Sequence, residues 1–281
     1  MTAGIFLLVL FAAFLHAFWN AIVKGAGDKA VMLGLIALGH VVPGLALVLL
    51  SGLPSMAAVP YIIASTVIHW VYYILLNTAY RVGDLSVVYP IARGLSPILI
   101  ALGAQFWVGE TLPLMAWMGI LAVSVGIMIL AAQRKQAPMP MVGFLAAVGV
   151  AVAIASYSIV DGVGVRLSGN ALGYIGCLFT AEAFVVAYVF GTKWDRVRAV
   201  PVRTLMLGLF GGIVSGAAYA LVLIAKTQAP LGIVSALRET SVIFAALIGV
   251  LWFQEGPKRG RIAAAIVVGC GIAVIAGAKG S

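Results

Sequence analysis

The sequence predicts an all-α polytopic membrane protein, with ten transmembrane helices forming two five-helix repeats of opposite topology. Three observations predict it: the composition, the spacing of apolar stretches, and a self-match at a fixed offset. Of 281 residues, 64% are hydrophobic and 9% are charged, against roughly 25% charged in an average soluble domain. So much apolar surface cannot be hidden inside a soluble globule. The composition excludes a soluble enzyme, a disordered chain and a nucleic-acid-binding domain. The expected surroundings are a lipid bilayer, and no nucleic-acid partner is expected.

A helix needs about 20 apolar residues to cross the hydrocarbon. Such segments occur at 5–23, 31–50, 58–80, 86–108, 114–132, 141–160, 171–190, 204–225, 231–252 and 260–277. Turn chemistry separates them. Gly25-Ala26-Gly27-Asp28 follows the first span, Ser51-Gly52-Leu53-Pro54 the second and Gly83-Asp84 the third. Gly109-Glu110-Thr111, Ala229-Pro230 and Gly256-Pro257 follow the fourth, eighth and ninth. The runs are too long and too uniform for barrel strands, which alternate. Residues 1–10 carry no basic n-region, so no cleavable signal peptide is expected. Cys177 and Cys270 fall inside apolar segments and offer neither a disulfide framework nor a metal spacing.

The net charge of +9 marks topology. The odd-numbered loops hold twelve basic residues, from Lys24 to Arg261, whereas the even-numbered loops and the tail hold Arg166, Lys226 and Lys279. Arg93 and Arg238 stay inside spans. The positive-inside rule puts the odd loops in the cytoplasm and both termini outside. A plasma (inner) membrane, of a bacterium, is the expected location.

At an offset of 145 residues, Arg93 meets Arg238, Ser96 meets Ser241, Trp107 meets Trp252, Glu110 meets Glu255 and Gly126 meets Gly271. Residues 93–131 and 238–276 share 11 identities over 39 positions without a gap. A shared Arg, Trp and Glu in charge-poor spans is not a product of biased composition. The chain then divides into repeats at 1–132 and 141–281, joined by a basic linker at 133–140. Five spans per repeat is odd, so the second repeat enters the membrane from the opposite side. That is the inverted-repeat design of alternating-access carriers, whose substrate sites lie near the midplane between halves.

Ten spans in two halves, Trp19-Asn20, the run Ala79-Tyr80-Arg81-Val82-Gly83-Asp84, the run Tyr89-Pro90-Ile91-Ala92-Arg93-Gly94 and the Gly109-Glu110 ending together resemble the drug/metabolite transporter superfamily, EamA type. The second-half equivalent of that ending, Gln254-Glu255, lacks the glycine. The resemblance implies a carrier for amino acids, aromatic compounds, nucleotide-sugar-like metabolites or quaternary amines. It also implies, from several relatives, cytoplasmic termini, whereas the charge bias places them outside.

Polar residues within spans are the candidate site. Arg93 and Arg238 sit roughly 5–6 Å from the midplane at 1.5 Å per residue. An intramembrane arginine costs at least about 2.5–3.5 kcal/mol at a helix centre. The two are either anion-binding groups flanking one site or locks neutralised by neighbours such as Glu239. Glu182, alone in mid-span, is a candidate for proton coupling, amine counter-ion or a plain interhelical hydrogen bond. Span three lines up Thr66, His69, Tyr73, Asn77 and Tyr80 as one polar stripe, which lipid does not accept. His16, Trp19 and Asn20 share a face of span one, and span four adds Tyr89 and Ser96. Tyr157 and Ser158 in span six, and Ser215 and Tyr219 in span eight, complete the set, while Asp161 at a span end suits a cap or interface. His40 has no such company. Stripes of small residues at 13/17/21/25, 208/212/216 and 269/273/277 suit close helix packing, or a dimer interface in the last case.

Nucleotide-binding, zincin and nucleophile-elbow motifs are missing, so neither ATP-driven transport nor catalysis is expected, and no cofactor or metal. The expected protein is a secondary carrier, an exporter of zwitterionic metabolites such as amino acids. Arg93 would hold the carboxylate, Glu182 or Glu239 the amine, His69, Tyr73, Tyr89 and Tyr219 would supply aromatic walls, and Asn20 and Ser96 polar contacts. Quaternary-amine or drug transport, import, and a membrane enzyme or structural subunit are the alternatives. Monomer and homodimer are both compatible with the sequence.

Overall fold

Some helices start where an N-cap side chain supplies an acceptor for orphan N–H groups, as Thr2, Asp28 and Asn170 do. In the computed structural model, which describes residues 1–24, 27–82, 85–132, 140–254 and 258–278, helix α1 spans Ala3–Val23 and α2 spans Lys29–Ser51. Asp28 caps α2 by accepting from the N–H groups of Ala30 and Val31 at 3.0 and 3.1 Å. Then follow α3 (Val59–Val82), α4 (Leu85–Gly103), α5 (Leu114–Ala132) and α6 (Met141–Leu167). Next come α7 (Ala171–Thr180), α8 (Ala183–Thr192), the short α9 (Trp194–Ala199) and α10 (Val202–Lys226). The chain closes with α11 (Leu231–Arg238), α12 (Ser241–Leu251) and α13 (Lys258–Gly277). Pro140, Pro201 and Pro230 stand at the N-caps of α6, α10 and α11, where a missing N–H removes no helix bond.

Among the described residues, eight stretches are long and apolar enough to cross a membrane, and α5 and α13 supply two shorter apolar helices. Two expected spans are broken. The seventh divides into α7 and α8 at Ala181-Glu182, and the ninth into α11 and α12 at Glu239-Thr240. At both breaks the hydrogen bonds tighten to the i→i−3 pattern, as in Glu182 N–H to Phe179 O and Glu239 N–H to Ala236 O. Helix α4 contains Pro90 and Pro97 and ends in a π-helical turn, Ala104–Val108. Residues 133–139 of the expected 133–140 linker, and Glu255, lie outside the described residues.

Packing is pairwise. Helix α1 lies on α10, α11 and α12; α3 lies on α6; α4 lies on α5 and α6; α2 lies on α7, α8 and α10; α5 lies on α13. Glycines permit the closest approaches. A Cβ on Gly212 of α10 would stand 2.5 Å from Ile36 O of α2, and one on Gly39 would stand 2.7 Å from Leu209 O. In α13 it is Gly271 that packs, against Gly119, whereas Gly269 and Gly277 meet nothing within 4 Å. The expected 269/273/277 stripe therefore faces outward, because the α5 contact selects the other side of α13. Leu49, Leu50 and Trp107, each more than 80% exposed, belong to the apolar outer surface. It suits lipid.

The loops gather at two ends. At one end Asn170 Nδ2 donates to Ser51 O at 2.7 Å, Ser55 N–H to Ser168 O at 2.9 Å, and Arg166 pairs with Glu110 at 2.8 Å. At the other, Arg196 pairs with Asp28 at 2.6 Å.

Candidate functional site

Arg93 projects from the middle of α4 into the bundle. Pro97, four residues on, has no N–H for the Arg93 carbonyl, which loosens this stretch of helix. The guanidinium Nε lies 2.8 Å from Glu239 Oε2, with the two side chains 7% and 4% exposed. The approach is off the line of a hydrogen bond, so charge holds the pair. Arg93 Nη2 also donates to Ser241 Oγ at 3.4 Å, and the Tyr89 ring lies 5.9 Å from the guanidinium. Glu239 and Ser241 flank the α11–α12 break, so the broken helix brings two acceptors to one arginine.

Arg238, one residue before Glu239, points elsewhere because i,i+1 side chains diverge on a helix. It is half-buried and lies over the Tyr219 ring of α10 at 5.5 Å. Among the described residues no carboxylate stands within ion-pairing distance of it. His16 of α1 is within electrostatic reach of both Arg93 and Arg238. Rings continue from there. Tyr219 meets Tyr157 edge-on at 6.3 Å, Tyr157 stacks on His69 at 4.2 Å, and Tyr72 meets Tyr157 at 6.0 Å.

Asp161, expected at a cap or interface, is instead fully buried. Its two oxygens accept from the hydroxyls of Tyr174 and Tyr219. The correction has a physical cause. A carboxylate at this depth needs hydrogen-bond donors, and the α6–α7 and α6–α10 contacts supply one to each oxygen. Lys226, counted as a loop charge in the sequence, is likewise fully buried and donates to Ser158 O at 2.8 Å. Arg166, also counted in a loop, donates to Lys226 O and Ala229 O at 2.7 and 2.9 Å while pairing with Glu110. Glu110 Oε2 accepts the N–H of Leu231, the first residue of α11, at 2.7 Å.

Other expected residues scatter. Glu182 sits at the α7–α8 break, 3.0 Å from His40 Nδ1 of α2, and near Tyr73. His40, left out of the expected site, is therefore its partner, stacked on Phe179 at 5.1 Å. Trp19 donates to His16 Nδ1 at 3.4 Å, and Asn20, exposed, donates back to His16 O at 2.7 Å. Ser96 is buried and bonds the Ala92 carbonyl of its own helix. The side chains of Asn77 and Tyr80 lie outside the described residues.

A multi-pass helical membrane protein with paired and unpaired charges buried between its helices is what this arrangement defines. Residues 141–277 match the model of the EamA-like transporter family. Over that stretch the chain is similar to that family, and the resemblance to the drug/metabolite transporter superfamily holds. No curated protein matches the sequence. A solved crystal structure, described only as that of a protein, is similar in fold with a TM-score of 0.80 and 20% identity. The likeness covers 98% of this chain and 99% of the other, and concerns the fold alone.

Proposed function

We propose that the protein is a secondary carrier that exports small zwitterionic metabolites, amino acids with aromatic ones favoured, by alternating access between two inverted five-helix halves. One observation carries the reading above others. The buried Arg93–Glu239 pair joins a residue of the 1–132 half to one of the 141–281 half, at the centre of both broken or kinked helices. A buried pair is a poor source of net stability compared with apolar packing. Placed between halves that rock, it is a group whose partners can change with a bound ion.

The packing supports inversion. Helices α5 and α13 occupy equivalent places in the two repeats and run antiparallel, Gly119 meeting Gly271 and Ile275 while Gly126 meets Ala264 and Val268. Likewise α3 on α6 is matched by α1 on α10. The charge bias supports cytoplasmic odd loops more strongly once Arg166 and Lys226 are seen to be buried or paired, for both were exceptions to it.

Purified protein should be stabilised on heating by aromatic amino acids, since a ligand that binds only the folded state raises its apparent stability. Stabilisation by quaternary amines and by no compound bearing a carboxylate would contradict the zwitterion reading.

A further inference from the structure

Among the described residues, the arginines that reach in between the helices differ in one respect: Arg238 has no carboxylate within ion-pairing distance. Arg93 has Glu239 at 2.8 Å and Arg166 has Glu110 at 2.8 Å. Lys226 bonds Ser158 O and lies in the field of Asp161. Asp161 is occupied by two tyrosine hydroxyls, and Glu182 by His40. Arg238 alone has an aromatic face and no carboxylate of its own among the described residues. It feels Glu239, but the direct contact of Glu239 goes to Arg93. It also lies in the field of a like charge, Lys226. A guanidinium between membrane-spanning helices with no carboxylate in direct contact is an incomplete ion pair.

We propose that Arg238, and not Arg93, is the anchor for the substrate's carboxylate, and that the substrate body is aromatic. The proposal rests on the carrier reading above and names its recognition group. The planar fork of Arg238 offers two parallel N–H donors to a carboxylate. Arg93 cannot make that bond without first giving up Glu239. From Arg238 a row of rings, Tyr219, Tyr157 and His69, crosses from α10 to α6 to α3. An aromatic body attached to the bound carboxylate has edges and faces to pack on along that row.

The test measures thermal stabilisation of wild type, Arg238→Gln and Arg238→Lys by L-phenylalanine, 3-phenylpropionate and 2-phenylethylamine. Wild type should respond to the two carboxylates. Arg238→Gln should keep its ligand-free melting temperature, because no carboxylate loses a direct partner. It should bind both carboxylates at least about thirtyfold more weakly, since losing one member of a buried charge pair costs about 2 kcal/mol or more. Arg238→Lys should recover part of that binding. Undiminished carboxylate binding by folded Arg238→Gln or Arg238→Lys overturns the anchor and leaves the carrier reading standing. A wild type that responds to phenylethylamine alone, or to none of the three, overturns the zwitterion reading and the anchor with it. A ligand-free Arg238→Gln that melts far below wild type, with Arg238→Lys binding as wild type does, makes Arg238 a structural lock and overturns the anchor too.

Discussion

Gly126 of α5 and Gly271 of α13 exchange contacts. A Cβ on Gly126 would meet Val268 and Ala264 O, and a Cβ on Gly271 would meet Val123 and Gly119 O. At the 145-residue offset, Ala264 and Val268 are the equivalents of Gly119 and Val123. The proposed inverted repeat requires such reciprocity, since in a two-fold-related pair of surfaces each residue touches what its equivalent touches.

Gly271→Ala should therefore destabilise the bundle, because its Cβ would stand 2.8 Å from Gly119 O, a backbone atom that cannot turn aside. Overpacking of this kind costs about 1–3 kcal/mol. Gly269→Ala and Gly277→Ala, with open space at both positions, should leave melting in detergent within about 0.5 kcal/mol of wild type. Equal losses at all three positions would remove the α5–α13 contact from the account.

Gly109 and Gln254 are equivalent positions, and both are left-handed, at φ 75° and 51°. Glycine adopts this region freely, while other L-residues are held there at about 1–2 kcal/mol. Gln254→Gly should raise stability by up to about 1 kcal/mol, and Gly109→Ala should lower it by a similar amount. Thermal melts of the two variants check this, and a Gln254→Gly protein less stable than wild type would contradict it.

Arg93→Gln leaves Glu239 buried without its partner, and such a break costs about 3–5 kcal/mol. The double variant Arg93→Gln with Glu239→Gln should melt closer to wild type than either single one. Undiminished binding of carboxylate substrates by a folded Arg93→Gln protein is the expected outcome if Arg238 is the anchor. An additive double variant would show that the two residues do not act as a pair.

How far the sequence alone reaches can be seen in particular residues. The intramembrane charges at 93, 182, 238 and 239 stand out because lipid penalises them wherever they point. Their partners do not, since the Arg93–Glu239 and His40–Glu182 contacts join helices far apart in the chain and leave no periodic trace. The breaks at Ala181-Glu182 and Glu239-Thr240 carry neither glycine nor proline, so the apolar runs there look continuous. A signal was nevertheless present for Arg166 and Lys226. Both are exceptions to the charge bias between loops, and both are engaged within the bundle. Asp161 had a comparable one, being an acid beside a tyrosine-bearing helical face.

Asp28 lies outside the spans, where it caps α2 and pairs with Arg196. Burial pushes its carboxyl up, but the Arg196 hydrogen bond and charge and the N–H groups of Val31 and Ala30 outweigh this and hold it below the usual range. A depressed carboxylate contributes stability that is present above its unfolded pKa and lost as the pH falls through its folded pKa. Asp28→Ala should cost about 1 kcal/mol at neutral pH through the lost cap. The gap between variant and wild type should close in acid below the ordinary carboxylate range. A gap that persists unchanged there would assign the effect to something other than this ionised cap.

Counterflow in proteoliposomes tests the central claim, that this chain alone is a carrier for zwitterions, most directly. Vesicles loaded with unlabelled phenylalanine and diluted into trace labelled phenylalanine, without ATP or an imposed ion gradient, should accumulate label transiently above the level of empty liposomes. Entry of label with no such overshoot, or none above protein-free vesicles, would contradict the account.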